Sequence, residues 1–141
     1  MNYVNYLESV QEAAKLSFSG QMNQAISKYL DALALAPKEE DKLEPLFALG
    51  VELKEENPED ALVYLEQCSV IAKDFDKSSF FYCYFYNAEK ELGDICVQQK
   101  HFPKALLHFK KAYKEIKSLQ DDPETEKYLD NMIKLMEKKS A

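Results

Sequence analysis

The stretch LGDICVQQKHFPKALLHFKKA, residues 92–112, carries the pattern on which the fold turns. Pro103 stands just before an apolar-periodic run, at an early helical position where its missing N–H is no loss. A helix is predicted to open there and to carry Ala105, Leu106, Phe109, Ala112, Tyr113 and Ile116. Upstream, a long helix is predicted over about 79–99, with Phe81, Tyr84, Phe85, Ala88 and Leu92 sharing one face. In the second of these helices Ala105, Phe109 and Ala112 read small, large, small at offsets of four and three. The triplet occurs twice more, as Ala25, Tyr29, Ala32 and as Ala61, Leu65, Cys68.

Helices fill the chain around these triplets. Tyr3, Leu7, Val10, Ala14 and Leu16 predict a first helix that stops at the SFSG turn around Gly20. The helix holding Ala25, Ile26, Tyr29, Ala32, Leu33 and Ala36 ends at Pro37, which cannot continue the hydrogen-bond ladder. A third runs from about 42 to 55 with Leu43, Leu46, Phe47, Gly50, Val51 and Leu53 inward. Asn57-Pro58 reads as an N-cap followed by proline at the first helical position. The fourth helix then carries Ala61, Leu62, Leu65, Cys68 and Ile71 to Phe75, ahead of the connection DKSS. Asp122-Pro123 repeats the cap-then-proline signal. The last helix, near 124–139, gathers Tyr128, Leu129, Met132, Ile133 and Met136 on one stripe and puts Lys127, Asp130, Lys134, Glu137 and Lys138 opposite. Six helices thus form three antiparallel pairs, and the seventh has the single polar face expected of an end cap.

Composition narrows the function classes. Three glycines in 141 residues leave no Gly-rich loop to cradle a phosphate through backbone N–H groups, and the scarcity of turn dipeptides argues against a β-sandwich or barrel. A formal charge of −7 supplies no field for nucleic acid. The longest unbroken apolar run, FFYCYFY at 80–86, is far too short to span a membrane, and the opening MNYVNYLESV has no export-signal pattern. Cys68, Cys83 and Cys96 are odd in number, sit in apolar periodic segments and lack C-x-x-C spacing, so reduced thiols in a cytoplasmic setting are expected.

The triplet resembles the tetratricopeptide repeat, in which small residues let two helices approach closely and the large one fills the gap beside them. Ala13 and Gly93, each twelve residues before the first small residue of its pair, fit the family's small position on the first helix; Gly50, eleven before Ala61, falls one short. Pro37 fits the repeat-closing proline, and VIAKDF at 70–75 is similar to the segment ending the repeats of longer-period adaptor members. The resemblance covers about residues 3–119. Ala25 to Ala61 is 36 positions and Ala61 to Ala105 is 44, against a usual period of about 34. The extra residues are expected to lengthen the second connection or the fifth helix. The resemblance implies one all-α domain over 1–141, a short right-handed solenoid with repeats at about 3–37, 42–75 and 79–119 and a capping helix at about 124–139.

It also implies a concave groove, lined by the first helix of each pair, that takes an extended or helical peptide. Leu7, Val10, Phe47, Val51, Asn87, Lys90, Asp94 and Val97 fall at groove positions, apolar at one end and mixed at the other, which suits an apolar or amphipathic segment. Members that grip acidic chaperone tails use a clamp of Lys, Asn, Asn, Lys and Arg. Those positions hold Val10, Ala14, Ala48, Asn87 and Glu91 here, so a heat-shock partner is not expected.

The run at 80–86 leaves two readings open. Phe80, Cys83 and Tyr86 point away from the core face, and either neighbours wrap the longer helix or its overhang is a surface for a partner or a second copy. His101, His108 and Cys96 do not make a metal site, because Pro103 breaks the helix between the histidines. KKAYKEIK at 110–117 reads as a solvated face diluted by Glu115. The carboxylates at 39–41 and 55–56 lie in predicted turns, with no pocket to shift a pKa, and no nucleophile–His–acid trio is recognisable. No cofactor is implied. The expected function is therefore non-enzymatic: an adaptor or scaffold that binds a segment of another protein. The alternatives are a dedicated chaperone for a secreted or aggregation-prone partner, and a self-associating structural unit.

Overall fold

The computed structural model describes residues 2–120 and 122–141. Among these residues the chain is all-helical, with no strand. The helices are α1 (Asn2–Phe18), α2 (Met22–Leu35), α3 (Leu43–Leu53), α4 (Pro58–Lys73), α5 (Cys83–Gln98), α6 (Phe102–Leu119) and α7 (Pro123–Ser140). Short 3₁₀ turns lead into α3 (Glu39–Lys42) and α5 (Phe80–Tyr82). α1 packs on α2, α3 on α4 and α5 on α6; α2 also meets α3, α4 meets α5, and α7 lies on α6. The helices therefore stack in adjacent pairs, as a helical-repeat solenoid.

The triplets are the reason the pairs close. All of their side chains are buried. Each large residue fills the space left by a small one on the opposite helix: a Cβ added at Gly50 would stand 2.3 Å from Leu65 Cγ, and Gly93 bears the same relation to Phe109. Ala13 shares a buried cluster with Ala25, Tyr29 and Leu49, joining α1, α2 and α3. α7 covers α6 with Leu129 and Met136, both fully buried. Burying each of these side chains contributes roughly 1.5–3 kcal/mol.

Turn geometry explains the spacing that falls one residue short. After α1, Gly20 adopts a left-handed conformation, with Gln21 N–H donating to the Leu16 carbonyl at 2.8 Å. After α5, Lys100 takes the same conformation (φ 61°) and His101 N–H donates to the Cys96 carbonyl, also at 2.8 Å. Both are six-to-one C-caps. Between α3 and α4 no residue has positive φ. Asn57 instead accepts the Asp60 N–H at 3.2 Å ahead of Pro58, as Asp122 accepts the Thr125 N–H at 3.1 Å ahead of Pro123. The second pair thus lacks one turn residue, and Gly50 stands eleven rather than twelve positions before Ala61.

The long spacing between Ala61 and Ala105 is shared among several places. α4 runs on to Lys73, the connection 74–82 is longer than its counterpart 36–42, and α5 begins ten residues before Gly93 where α3 begins seven before Gly50. The fifth helix does not span 79–99 as one element. Ser79 accepts the Phe81 N–H at 3.2 Å and starts a 3₁₀ turn, and α5 begins only at Cys83. This rotates the aromatic run away from the simple helical reading. Tyr82, which falls off the predicted core stripe, is buried, and Leu49 of α3 is also a core residue outside the expected set.

Candidate functional site

The odd-numbered helices lie side by side and form one face. Ser17 of α1 donates a hydrogen bond to Glu52 of α3, whose other carboxylate oxygen is buried without a partner among the described residues. Lys54 of α3 reaches Glu91 of α5 at 2.9 Å, and the Tyr128 hydroxyl of α7 donates to Asp94 of α5 at 2.5 Å. Of these three cross-ties, the α1–α3 tie alone leaves a buried acceptor without a partner among the described residues.

At the α1–α3 end the face is apolar. Leu7 is 37% exposed and Val51 38%. Phe47 is half-buried, with its ring edge-on to Tyr84 at a centroid distance of 6.0 Å. Val10 is not available at this surface. It is only 7% exposed, packed in a cluster with Tyr6 and Ala32 where α1 meets α2. The structure therefore leaves Leu7, Phe47 and Val51 as the apolar contacts.

At the α5 end Asn87, Lys90, Asp94 and Val97 are all half-buried, and the charges are paired within the protein. Lys90 lies 3.3 Å from Glu91 and 3.3 Å from Asp94, with its ammonium 5.0 Å from the Tyr128 ring centroid. Burial disfavours the Lys54 ammonium, but its hydrogen bond to Glu91 and the surrounding carboxylates outweigh this and raise its pKa. Burial, then the bond to Asp94, pushes the Tyr128 hydroxyl up. Lys54 and Lys90 are thus both paired with carboxylates, beside a cavity of about 260 Å³ lined by Lys54, Glu55, Asp94, Val97 and Tyr128. Sequence reasoning missed Lys54 and gave Tyr128 only a core role. Lys54 was legible, since it continues the Phe47, Val51 face at helical spacing. The partnership with Tyr128 depends on where α7 docks, which no local spacing reports.

Phe80, Cys83 and Tyr86 do not form one surface. Phe80 is 74% exposed and Cys83 half-buried, whereas Tyr86 packs between the two largest core clusters.

A second polar group lies where α4, α5 and α6 meet. Glu89 is buried and accepts Ser69 Oγ at 3.0 Å, with His108 Nδ1 at 3.2 Å and Lys111 Nζ at 3.7 Å. Burial alone would lower the His108 pKa, but hydrogen bonds to Cys96 and Glu89 prevail and lift it to about 9. Burial opposes ionisation of Glu89, yet His108 and Lys111 hold its pKa below the ordinary value. The two therefore form a buried ion pair at neutral pH. His101 is exposed in the α5–α6 turn. Among the described residues no group of three His, Cys, Asp or Glu side chains is placed to share a metal ion, and no helix is long and apolar enough to cross a membrane.

No protein-family model matches the chain, and no curated protein matches it.

Proposed function

We propose that the chain is a non-enzymatic interaction module of the tetratricopeptide type, working as an adaptor that binds an amphipathic helix or extended segment of a partner across its odd-helix face. The observation that carries the reading is the pairing of exposed Leu7 and Val51 with a neighbouring strip whose lysines are already paired with carboxylates. A partner gains by covering the apolar end, and an acidic segment finds no unpaired lysine at the other. Glu91, at a clamp position, is engaged by Lys54 and Lys90, which suits a partner other than an acidic tail. Three free cysteines, with the Cys68 thiol pushed up to about 12 by burial, suit a reducing cytoplasm.

The test is capture from native extract, identified by mass spectrometry, with the wild type and with Leu7→Glu/Val51→Glu. The reading expects one discrete partner, lost in the variant while the melting temperature changes little. Equal capture by both proteins overturns the assignment of the face, and a captured protein that aggregates when released makes the chain a dedicated chaperone.

A further inference from the structure

Away from the odd-helix face, a cavity of about 370 Å³ opens between the end of α4, the 74–82 connection and α6. Four of its lining residues are lysines from three separate segments: Lys73 in the last turn of α4, Lys77 in the connection, and Lys111 and Lys114 one turn apart on α6. The buried rings of Tyr82 and Phe85 also line it. Only Glu115 among the lining residues is acidic.

The charges do not cancel. Lys77 lies 3.5 Å from Glu115, and Lys111 lies 3.7 Å from Glu89, a carboxylate that His108 already pairs. Lys73 and Lys114 have no acidic partner among the described residues. A chain of net charge −7 thus keeps a local excess of positive charge around one concavity. The dipole of α4 accounts for a lysine in its last turn. It does not account for Lys77, Lys111 and Lys114 lining the same space, where four ammonium groups face only Glu115 and the already paired Glu89, a balance that favours an added anion.

We propose that this cavity binds a compact anion bearing several phosphate groups, either a free organic polyphosphate or a phosphorylated lipid headgroup. The number of cations favours a multiply charged ligand over a single carboxylate: four ammonium groups line the cavity and two of them have no carboxylate partner among the described residues. An ammonium meets a phosphoryl oxygen as a point charge. The volume suits a ligand of a few phosphates about a small ring, and the aromatic wall of Tyr82 and Phe85 excludes water from one side.

The test is calorimetric titration of the full chain with inositol hexakisphosphate and with tripolyphosphate at physiological ionic strength. It is paired with sedimentation against phosphatidylcholine vesicles with and without phosphatidylinositol bisphosphate. Lys73→Ala/Lys114→Ala should weaken binding about tenfold or more. Lys127→Ala/Lys138→Ala, an equal charge change on α7, should leave it within about twofold. Glu115→Gln, which removes the one acidic lining group without adding charge, should strengthen it and keeps the test independent of the double variant's folding. Binding to the soluble probes alone identifies a free polyphosphate, and binding only to the doped vesicles identifies a headgroup. Absence of binding to every probe overturns the proposal, as does equal weakening by both double variants.

Discussion

Gly93 of α5 lies directly under Phe109 of α6: a Cβ at Gly93 would stand 2.5 Å from Phe109 Cε1, inside any tolerable contact. Phe109 is fully buried, so the ring has no open space into which to withdraw. Gly93→Ala gains about 1 kcal/mol of helix propensity and incurs overpacking of about 1–3 kcal/mol. The expected outcome is a net loss of stability in chemical denaturation, recovered in part when Phe109→Leu is added. A more stable Gly93→Ala protein would show that α5 and α6 are not in close contact here.

Lys100 takes the left-handed conformation that Gly20 takes in the equivalent turn. Replacing it with either Gly or Ala removes the same charge, so the difference between the two isolates the backbone. Lys100→Gly should be about 1 kcal/mol more stable than Lys100→Ala, read from urea midpoints at constant slope.

The His108–Glu89 pair makes stability depend on pH in a defined window. The folded pKa of His108, about 9, lies above its ordinary 6.5. Its contribution is complete below pH 6.5 and fades as pH rises through 9. Glu89, with a lowered pKa, acts in the opposite sense and loses its contribution only in acid. Between pH 6.5 and 8.5 the wild type should lose on the order of 1–3 kcal/mol relative to His108→Gln. Parallel melting curves for the two proteins across that range would show that the imidazole carries no proton at neutral pH.

Removal of α7 by truncation after Gln120 exposes the surface of α6 covered by Leu129 and Met136, and it frees Asp94 from Tyr128. The shortened chain should bind a hydrophobic dye and melt at lower temperature. Unchanged stability would mean that α7 docks too weakly to close the stack and is free to serve as a binding segment itself.

What the sequence reveals is what local spacing encodes. The triplets, the closing Pro37 and the two cap-then-proline starts are each decided within a few residues, and the helices follow from them. Val10 illustrates the limit. Its spacing is that of a groove residue, yet the approach of Tyr6 and Ala32 turns it into the core. The Lys54–Glu91 and Tyr128–Asp94 ties, the Glu89–His108 pair and the four-lysine cavity each join residues on different segments of the chain. KKAYKEIK reads as a solvated face for the same reason: Lys73 and Lys77, which give two of its lysines a shared cavity, lie more than thirty positions upstream. The aromatic run misled in another way, because the Ser79 turn rotates Tyr82 inward before the helical period begins.

The stacking of each helix mainly on its sequence neighbours bears on how the chain acquires its structure. Closing one pair joins residues only a short distance apart along the chain, so little loop entropy is lost before packing rewards it. Such a topology folds in microseconds to milliseconds, and assembly can nucleate at any pair and spread to its neighbours. α5 is the element on which the growing structure converges, since it packs on α4 and α6 and is tied to α3 and α7 by Glu91 and Asp94. Its amides should therefore be the last of the chain to exchange with solvent.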